Sequence, residues 1–337
     1  MKTNEFCSRR KTLRRVLTGT LAIVALALVS GAQAQAWPTK NVTIVVPAAP
    51  GGGPDLLARA LAERLSATSG KAVIVENRPG ANAILGSQVV AEAAPDGHTL
   101  LLVDRLTLAV NPLLYSKLPY SSRQLTGVTE VARVDLLWVT RAEAPYKTWS
   151  EMVALARKGT ETIAVGTSAR GSSPHLSLEL VIRELGVSTI TSVPYRGVSQ
   201  AVIGLLAGDV QAMITGPVPV LGHIRAGKLR ALVIGSDQRL PLLPDVPTLR
   251  EVGAPDDLLI STHFTLHAPA STPGATIEKI NATVRTVLAE PAFVKRFEAR
   301  GLIVEASRAA DVESGIAADS ARLTKMIKDM DLKGSSD

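Results

Sequence analysis

The chain has 337 residues, 46% of them apolar and 3% aromatic, and a formal net charge of +7. A chain of this length can bury a core in one large or two moderate domains. Residues 1–36 contain six Lys/Arg and one acid, so this segment holds +5 of the +7 and about +2 stays on the rest. The high isoelectric point therefore gives no support for nucleic-acid binding, and we predict none.

Residues 1–36 have the pattern of a secretory signal peptide. Basic residues end at Arg15, and the apolar run 16–29 is too short to span a membrane. Small-x-small cleavage sites follow at 32–34 and 34–36, so the cleavage site stays open. We expect a soluble periplasmic protein.

The export route also stays open. Residues 8–13 partly match a twin-arginine signal, but Thr12 stands where an aromatic residue is usual, so the general secretory route is the alternative. Cys7 is the only cysteine and precedes the apolar run, so it is not a lipoprotein acceptor. The exported protein then has no disulfide and depends on its core for stability.

Short apolar runs alternate with helical patterns, which predicts an α/β fold with mostly parallel sheets. The predicted strands are 42–46, 72–75, 99–103, 136–140, 162–165, 190–193, 211–214, 230–234, 260–267 and 302–305. The predicted helices are 55–68, 84–94, 148–158, 174–185, 198–207, 217–226, 275–289, 291–299 and 309–330. The apolar runs near 134–140 and 258–267 are candidate crossings between two domains.

A glycine-rich loop, 47–55, joins the first strand to the first helix, where leucines at positions 57, 61 and 65 form an apolar stripe. Unpaired backbone N–H groups at a helix N-terminus attract anions, and three consecutive glycines let a ligand approach the backbone. Pro54 suits the first helical position. A tight turn without a ligand is the alternative. Asp55 also suits the first turn because a negative charge there favours the helix dipole.

A second loop, 166–175, repeats this order between a strand and a helix. It offers three serines, a threonine, two glycines and a helix N-terminus, with Ser173 as the expected N-cap and Pro174 as the first helical residue. Such donors hold a carboxylate without a buried counter-charge. A well-capped helix with nothing bound is the alternative. Arg170 is interpreted as a solvated loop residue.

The sequence gives little support for a catalytic site or a metal site. The second loop does not match the Gly-x-Ser-x-Gly elbow, although Ser168 and His175 are a conceivable nucleophile and base for an exported hydrolase. His263 and His267 on one strand would lie about 13 Å apart. We therefore predict no enzyme activity, no metal site and no cofactor.

Tyr195 either lines a cleft or packs as a half-buried ring.

Segments along the whole chain after residue 36 resemble the extracytoplasmic solute receptors of tripartite tricarboxylate transporters, the Bug receptors. The matching segments are 75–80 (VENRPG), 95–100 (PDGHTL), 111–115 (NPLLY), 118–120 (LPY), 175–176 (HL), 193–197 (VPYRG), 227–231 (GKLRA), 243–248 (LPDVPT) and 268–270 (APA). Each segment is weak alone, and their shared order and spacing carry the resemblance.

The resemblance implies a type II periplasmic-binding-protein fold, with two α/β lobes joined by two crossing strands and a ligand cleft between them. Lobe 1 would comprise 37–138 plus 263–337, and lobe 2 would comprise 139–262. It also implies that the loops matching 47–55 and 166–173 hold a ligand carboxylate. The candidate ligand-binding residues are Ala48, Ala49, Gly51, Gly52, Gly53, Asp55, Thr167, Ser168, Gly171, Ser172, Ser173, Tyr195, Thr215 and Gly216.

The sequence departs from the family pattern at the expected site. Ala48 stands where an aromatic ring usually covers the ligand, which implies a roomier or altered pocket. An acidic residue that contacts amino-acid ligands in some members is absent around Thr215 and Gly216. His263 stands where tryptophan is usual. The missing acidic residue argues against an amino-acid ligand, and the sequence does not identify the ligand further.

We therefore expect a monomeric periplasmic receptor that captures a small organic carboxylate by lobe closure. The expected partners are the membrane permease subunits of a tripartite tricarboxylate transporter. A ligand-sensing adaptor for a membrane sensor would have the same sequence features, and an exported serine hydrolase is the remaining alternative.

Overall fold

The structure, a computed structural model, describes residues 37–255, 258 and 261–329. Residues 37–39 belong to an N-terminal unit, and a second compact unit begins at Lys40. The predicted signal peptide, 1–36, lies outside the described residues, as do residues 259 and 260 of the second predicted crossing region.

The described strands and helices alternate along most of the chain. The strands are β1 (Val42–Val46), β2 (Val73–Asn77), β3 (Thr99–Asp104), β4 (Leu125–Asp135), β5 (Leu137–Arg141), β6 (Ile163–Thr167), β7 (Ile190–Pro194), β8 (Ala212–Thr215), β9 (Leu229–Ile234), β10 (Ser261–Pro269) and β11 (Ile303–Val304). The helices are α1 (Gly53–Ser69), α2 (Ile84–Ala91), α3 (Arg105–Leu114), α4 (Trp149–Lys158), α5 (Ser173–Leu185), α6 (Val198–Ala207), α7 (Leu221–Arg225), α8 (Gly274–Leu288), α9 (Pro291–Glu298) and α10 (Ala309–Asp329).

The strands form two mixed sheets, in the orders β11-β4-β10-β3-β1-β2 and β7-β6-β8-β5-β9. Four of the strand pairings are parallel and five are antiparallel, so the prediction of mostly parallel sheets is wrong. The physical reason lies in three strands: β4, β5 and β10 run antiparallel to their neighbours where the chain leaves and re-enters the first sheet. The chain passes from the first sheet to the second between β4 and β5 and returns between β9 and β10.

Two elements were not predicted from the sequence. Helix α3 contains Pro112, which lacks a backbone N–H and is read as a helix breaker. Strand β4 carries polar residues at Thr129, Glu130 and Arg133 instead of an apolar run. Those side chains are matched by partners far away in sequence, which a local pattern does not reveal.

One apolar cluster joins elements of both sheets, and we call it the shared cluster. It includes Leu106 and Leu114 of α3, Leu176 of α5, and Leu323 and Met326 of α10, all buried, together with apolar residues of the second sheet. Burial of a leucine contributes about 2 kcal/mol. The shared cluster therefore holds α3 and α10, which pack beside the first sheet, against the helix that follows the second loop.

Candidate functional site

The first predicted loop turns sharply between β1 and α1. Gly51 has a φ of +83°, a left-handed conformation that favours glycine, and Gly52 caps the helix in an extended conformation. A Cβ built on Gly51 or Gly53 would meet no atom within 4 Å, and one on Gly52 would make only ordinary contacts at 3.6 and 3.8 Å. The loop backbone therefore borders open space at the N-terminus of a 17-residue helix.

Asp55 braces this loop from inside. Its carboxylate accepts hydrogen bonds from the Gly51 N–H at 2.8 Å and from Asn77 Nδ2 at 2.9 Å, and it pairs with Arg59 at 2.9 Å. Asn77 also donates to the Ala48 carbonyl at 3.0 Å, which fixes the start of the loop. Burial alone would raise the pKa of Asp55, but the hydrogen bonds from Arg59, Gly51 and Asn77 hold it below its usual value. Among the candidate residues, Asp55 thus supports the loop backbone rather than offering a free charge.

The second predicted loop ends in a well-formed helix cap. Ser172, and not Ser173 as predicted, is the N-cap of α5: its Oγ accepts from the His175 N–H at 3.4 Å and donates to the Ala169 carbonyl at 2.7 Å. Ser168 Oγ donates to Ser172 Oγ at 3.2 Å. The cap shifts by one residue because the Ser173 hydroxyl has a different partner, outside the loop.

That partner is Asp104, the last residue of β3 and the N-cap of α3. The Ser173 Oγ donates to Asp104 Oδ2, and the Asp104 carboxylate also accepts from the Leu106 N–H at 3.0 Å. Burial raises the pKa of Asp104 to about 6, although the hydrogen bonds from Ser173 and Leu106 lower it. The contact joins the second loop to an element of the first sheet, so the two sheets meet at the candidate site.

The segment 80–86 lies beside both loops. Ala81, Asn82 and Ala83 have consecutive φ values of 47°, 48° and 68°, which non-glycine residues rarely adopt. A Cβ on Gly86 would clash with Pro47 of the first loop, and one on Gly171 would clash with Asn82 and with Leu114 of α3. Strained backbone is common at ligand sites, where the surrounding structure holds it.

A reciprocal amide pair holds this segment in place. Asn82 Nδ2 donates to Asn111 Oδ1, and Asn111 Nδ2 donates to the Asn82 carbonyl, both at 2.9 Å. None of Asn82, Asn111 and Asp104 was among the site residues predicted from the sequence. The only local signal was that asparagine tolerates the left-handed region and that Asn82 lies two residues after the Pro79-Gly80 pair.

The remaining candidates lie around the second loop. Thr167 is fully buried at the end of β6, and its Oγ1 has no hydrogen-bond partner among residues 37–255, 258 and 261–329. Tyr195 is half-buried, with its ring against Gly166 and Gly204, which is the packing role. Thr215 is buried at the end of β8, and Gly216 approaches Val134 of β4 so closely that a Cβ would lie 2.6 Å from Val134 Cγ1.

The geometry does not support the hydrolase alternative. Ser168 Oγ donates to Ser172, while His175 Nδ1 accepts from the Gly171 N–H at 3.2 Å. Burial, together with the nearby charge of Arg170, lowers the pKa of His175 to about 4. The imidazole is therefore neutral, and its Nδ1 lone pair is engaged by the loop backbone rather than by a nucleophile.

Comparison with known proteins identifies the family. Residues 57–332 match the model of the tripartite tricarboxylate transporter family receptor. The periplasmic binding protein BugD is 28% identical, with a TM-score of 0.79, over 88% of this chain and 99% of its own. MatC from Rhodopseudomonas palustris, solved with bound malate, is 32% identical, with a TM-score of 0.75, over 85% of this chain and all of its own. An R. palustris protein solved with adipate is 31% identical, with a TM-score of 0.81, over 87% of this chain and 97% of its own.

These likenesses confirm the predicted periplasmic-binding-protein fold and the predicted resemblance, and they confirm a solute-binding receptor rather than an enzyme. Within the part of the chain that the structure describes, no helix has the length and apolar character needed to cross a bilayer. The chain belongs to the family of tripartite tricarboxylate transporter receptors.

Proposed function

We propose that this protein is a periplasmic receptor that captures a small organic carboxylate between the loops 47–55 and 166–173. The observation that carries the proposal is the meeting of two helix N-terminal loops on the segment 80–86. Helix N-termini and hydroxyl groups stabilise an anion without a buried counter-charge. The malate and adipate found with two relatives are anions of this class.

The proposed donors are backbone N–H groups of Gly52 and Gly53 and hydroxyl groups of the second loop. Gly51 is excluded from direct contact because its N–H already donates to Asp55. The buried Thr167 Oγ1 lacks a protein partner within the described residues, and an unsatisfied buried hydroxyl costs about 1–3 kcal/mol. A ligand carboxylate, or a water held by it, would relieve this cost.

Capture is proposed to work by closure of two lobes, 37–138 plus 263–337 and 139–262, about the crossings near β4–β5 and β10. The closed receptor would act as a monomer and present its ligand to permease subunits of a tripartite transporter. Export would use residues 1–36 as a cleaved signal peptide. Ala48, half-buried in the first loop, would leave room for a ligand that extends beyond its carboxylate.

A thermal-shift panel tests this function. Mono-, di- and tricarboxylates, including malate and adipate, are compared with their neutral amides at equal concentration. A ligand at 100 times its Kd adds about 2.7 kcal/mol of stability, which raises Tm by several degrees. We expect a shift with at least one acid and none with its amide. No shift with any acid, or an equal shift with the amide, would contradict the proposal.

The Thr167→Val variant tests the role of the Thr167 hydroxyl, which has no protein partner within the described residues. Valine keeps the shape but removes an oxygen that has no protein partner, so we expect unchanged or slightly higher Tm. Loss of one hydrogen bond to a charged ligand should weaken carboxylate binding about tenfold or more. Isothermal titration measures this.

Thr272→Val is the matched control, since Thr272 is also buried with an unpartnered Oγ1 in the described structure but lies after β10, away from both loops. It should leave affinity unchanged. Equal affinity of the Thr167→Val variant and the wild type would remove Thr167 from the site.

A further inference from the structure

Three strands of the first sheet bring together side chains that are far apart in sequence. Glu130 on β4, His263 on β10 and Glu305, just after β11, each present one ligand atom, and these atoms lie within 4.8 Å of one another. His263 Nδ1 contacts Glu130 Oε1 across 133 positions of sequence. We propose that Glu130, His263 and Glu305 form a binding site for a divalent transition-metal ion such as Zn²⁺.

The local strand geometry explains why these groups share one face. The register between β10 and β4 shifts between Phe264 and Thr265, so that His263 pairs with Arg133 while Thr265 pairs with Glu130. Residues 130 and 133 would point to opposite faces of a regular strand, and the irregularity brings both beside His263. Strand β11 pairs with the same part of β4 and carries Glu305 to the cluster.

The donor set fits the proposed ion. Imidazole nitrogen and carboxylate oxygen are both zinc donors, at about 2.0–2.2 Å, and three protein ligands leave a fourth position open for water. A tetrahedral ion holds its ligand atoms about 3.4 Å apart, so the Glu130–His263 contact would open and Glu305 would move inward. The side chains are partly accessible, at 12% for Glu130, 22% for His263 and 38% for Glu305, which gives an ion a way in.

Two arginines support the carboxylates without using all their oxygens. Arg105 Nη1 contacts Glu130 Oε2 at 3.5 Å, while Glu130 Oε1 faces His263. Arg133 Nε donates to Glu305 Oε1 at 3.2 Å, which leaves Oε2 for the ion. Ligating carboxylates are commonly held by such outer hydrogen bonds.

Carboxylates outnumber arginines around this cluster. The carboxylates in the connected ion pairs belong to Glu130, Asp135, Glu305 and Asp319, and the guanidinium groups to Arg105, Arg133 and Arg322. The four carboxylates exceed the three guanidinium groups by one, and a divalent cation would offset this excess negative charge. The sequence predicted no metal site because His263 was considered only together with His267, about 13 Å away on the same strand.

Titration of Zn²⁺ into the purified protein tests the proposal. The affinity tag is removed, the protein is treated with a chelator, and the buffer contains no carboxylate, so the result does not depend on ligand capture. We expect about one Zn²⁺ per chain by calorimetry, and Co²⁺ substitution should give visible absorption bands of a nitrogen-ligated site. The His263→Ala and Glu305→Gln variants should each weaken binding about tenfold or more.

His223→Ala is the control, because it removes a partly exposed histidine on α7 that is outside the cluster. Its Zn²⁺ affinity should equal that of the wild type. Glu305→Gln keeps an oxygen for Arg133 at a partly exposed position, so it stays informative if His263→Ala does not fold. Absence of Zn²⁺ binding, or wild-type affinity in both cluster variants, would overturn the proposal.

Discussion

The Gly52→Leu variant should lose carboxylate binding while keeping its fold. Gly52 has φ −74° and ψ 168°, which any residue adopts, and a Cβ there makes only ordinary contacts, so Tm should change by no more than about 2 °C. The leucine side chain would fill the open space that borders the first loop. We expect affinity to fall at least about 100-fold, equivalent to about 2.8 kcal/mol. Calorimetric titration with the best acid of the panel measures this.

Gly197→Leu provides a matched control. Gly197 is also a glycine N-cap in an extended conformation, at the start of α6, and a Cβ there meets nothing within 4 Å. It should leave both Tm and affinity unchanged. If Gly52→Leu binds as tightly as Gly197→Leu, the first loop is not part of the site.

The Asp104→Asn variant should remove a loss of stability that the wild type shows as pH rises. The folded pKa of Asp104 is about 6, above the ordinary value of 3.8, because the carboxyl is fully buried. Folded protein therefore holds the proton more tightly than unfolded protein, and ionisation costs stability as pH rises from about 4 to about 6. A shift of two units corresponds to about 2–3 kcal/mol. Asparagine can still cap α3 and donate to Ser173, and it does not ionise.

We expect the stability of the variant, relative to wild type, to rise by about 2–3 kcal/mol between pH 4 and pH 8. Urea unfolding at several pH values measures this difference. Asp311→Asn is the control, because hydrogen bonds from the Arg308 side chain and N–H hold the pKa of Asp311 below its usual value and no histidine contributes. Its contribution is present above about pH 4 and lost only below that, so its curve should stay flat from about pH 5 to 8. If the stability difference between the Asp104→Asn variant and the wild type also stays flat with pH, the raised pKa of Asp104 is contradicted.

Local sequence signals predicted most of the fold. Strand β1 and helix α1 follow from an apolar run, a proline at the first turn and leucines on one face. The two missed elements depend on long-range partners: in β4, the Val128 carbonyl accepts from Asn281, and the Glu130 N–H donates to Ser307 Oγ. The mixed direction of the sheets was missed for the same reason, since strand direction is a property of pairs and not of single segments.

The two loops of the candidate site were also predicted, because glycines and serines before a helix are local signals. Their surroundings were not predictable. The cap at Ser172 instead of Ser173 depends on Asp104, 69 residues away, and the strained segment 80–86 is held by Asn111, 29 residues from Asn82. The position of Tyr195 depends on Gly204, which makes room for its ring. The cluster of Glu130, His263 and Glu305 was not predicted either, because its members are far apart in sequence.

The position of strand β4 in the first sheet affects when that sheet can form during synthesis of the chain. Its two neighbours in the sheet are β10 and β11, which lie more than 120 residues further along, and the helix α10 that follows them completes the shared cluster. Pairing over such distances is slow, and it has to wait for the ribosome to deliver the last part of the chain. The first sheet of the nascent chain therefore stays incomplete until most of the chain has been synthesised, whereas all strands of the second sheet, which end at Ile234, are available earlier.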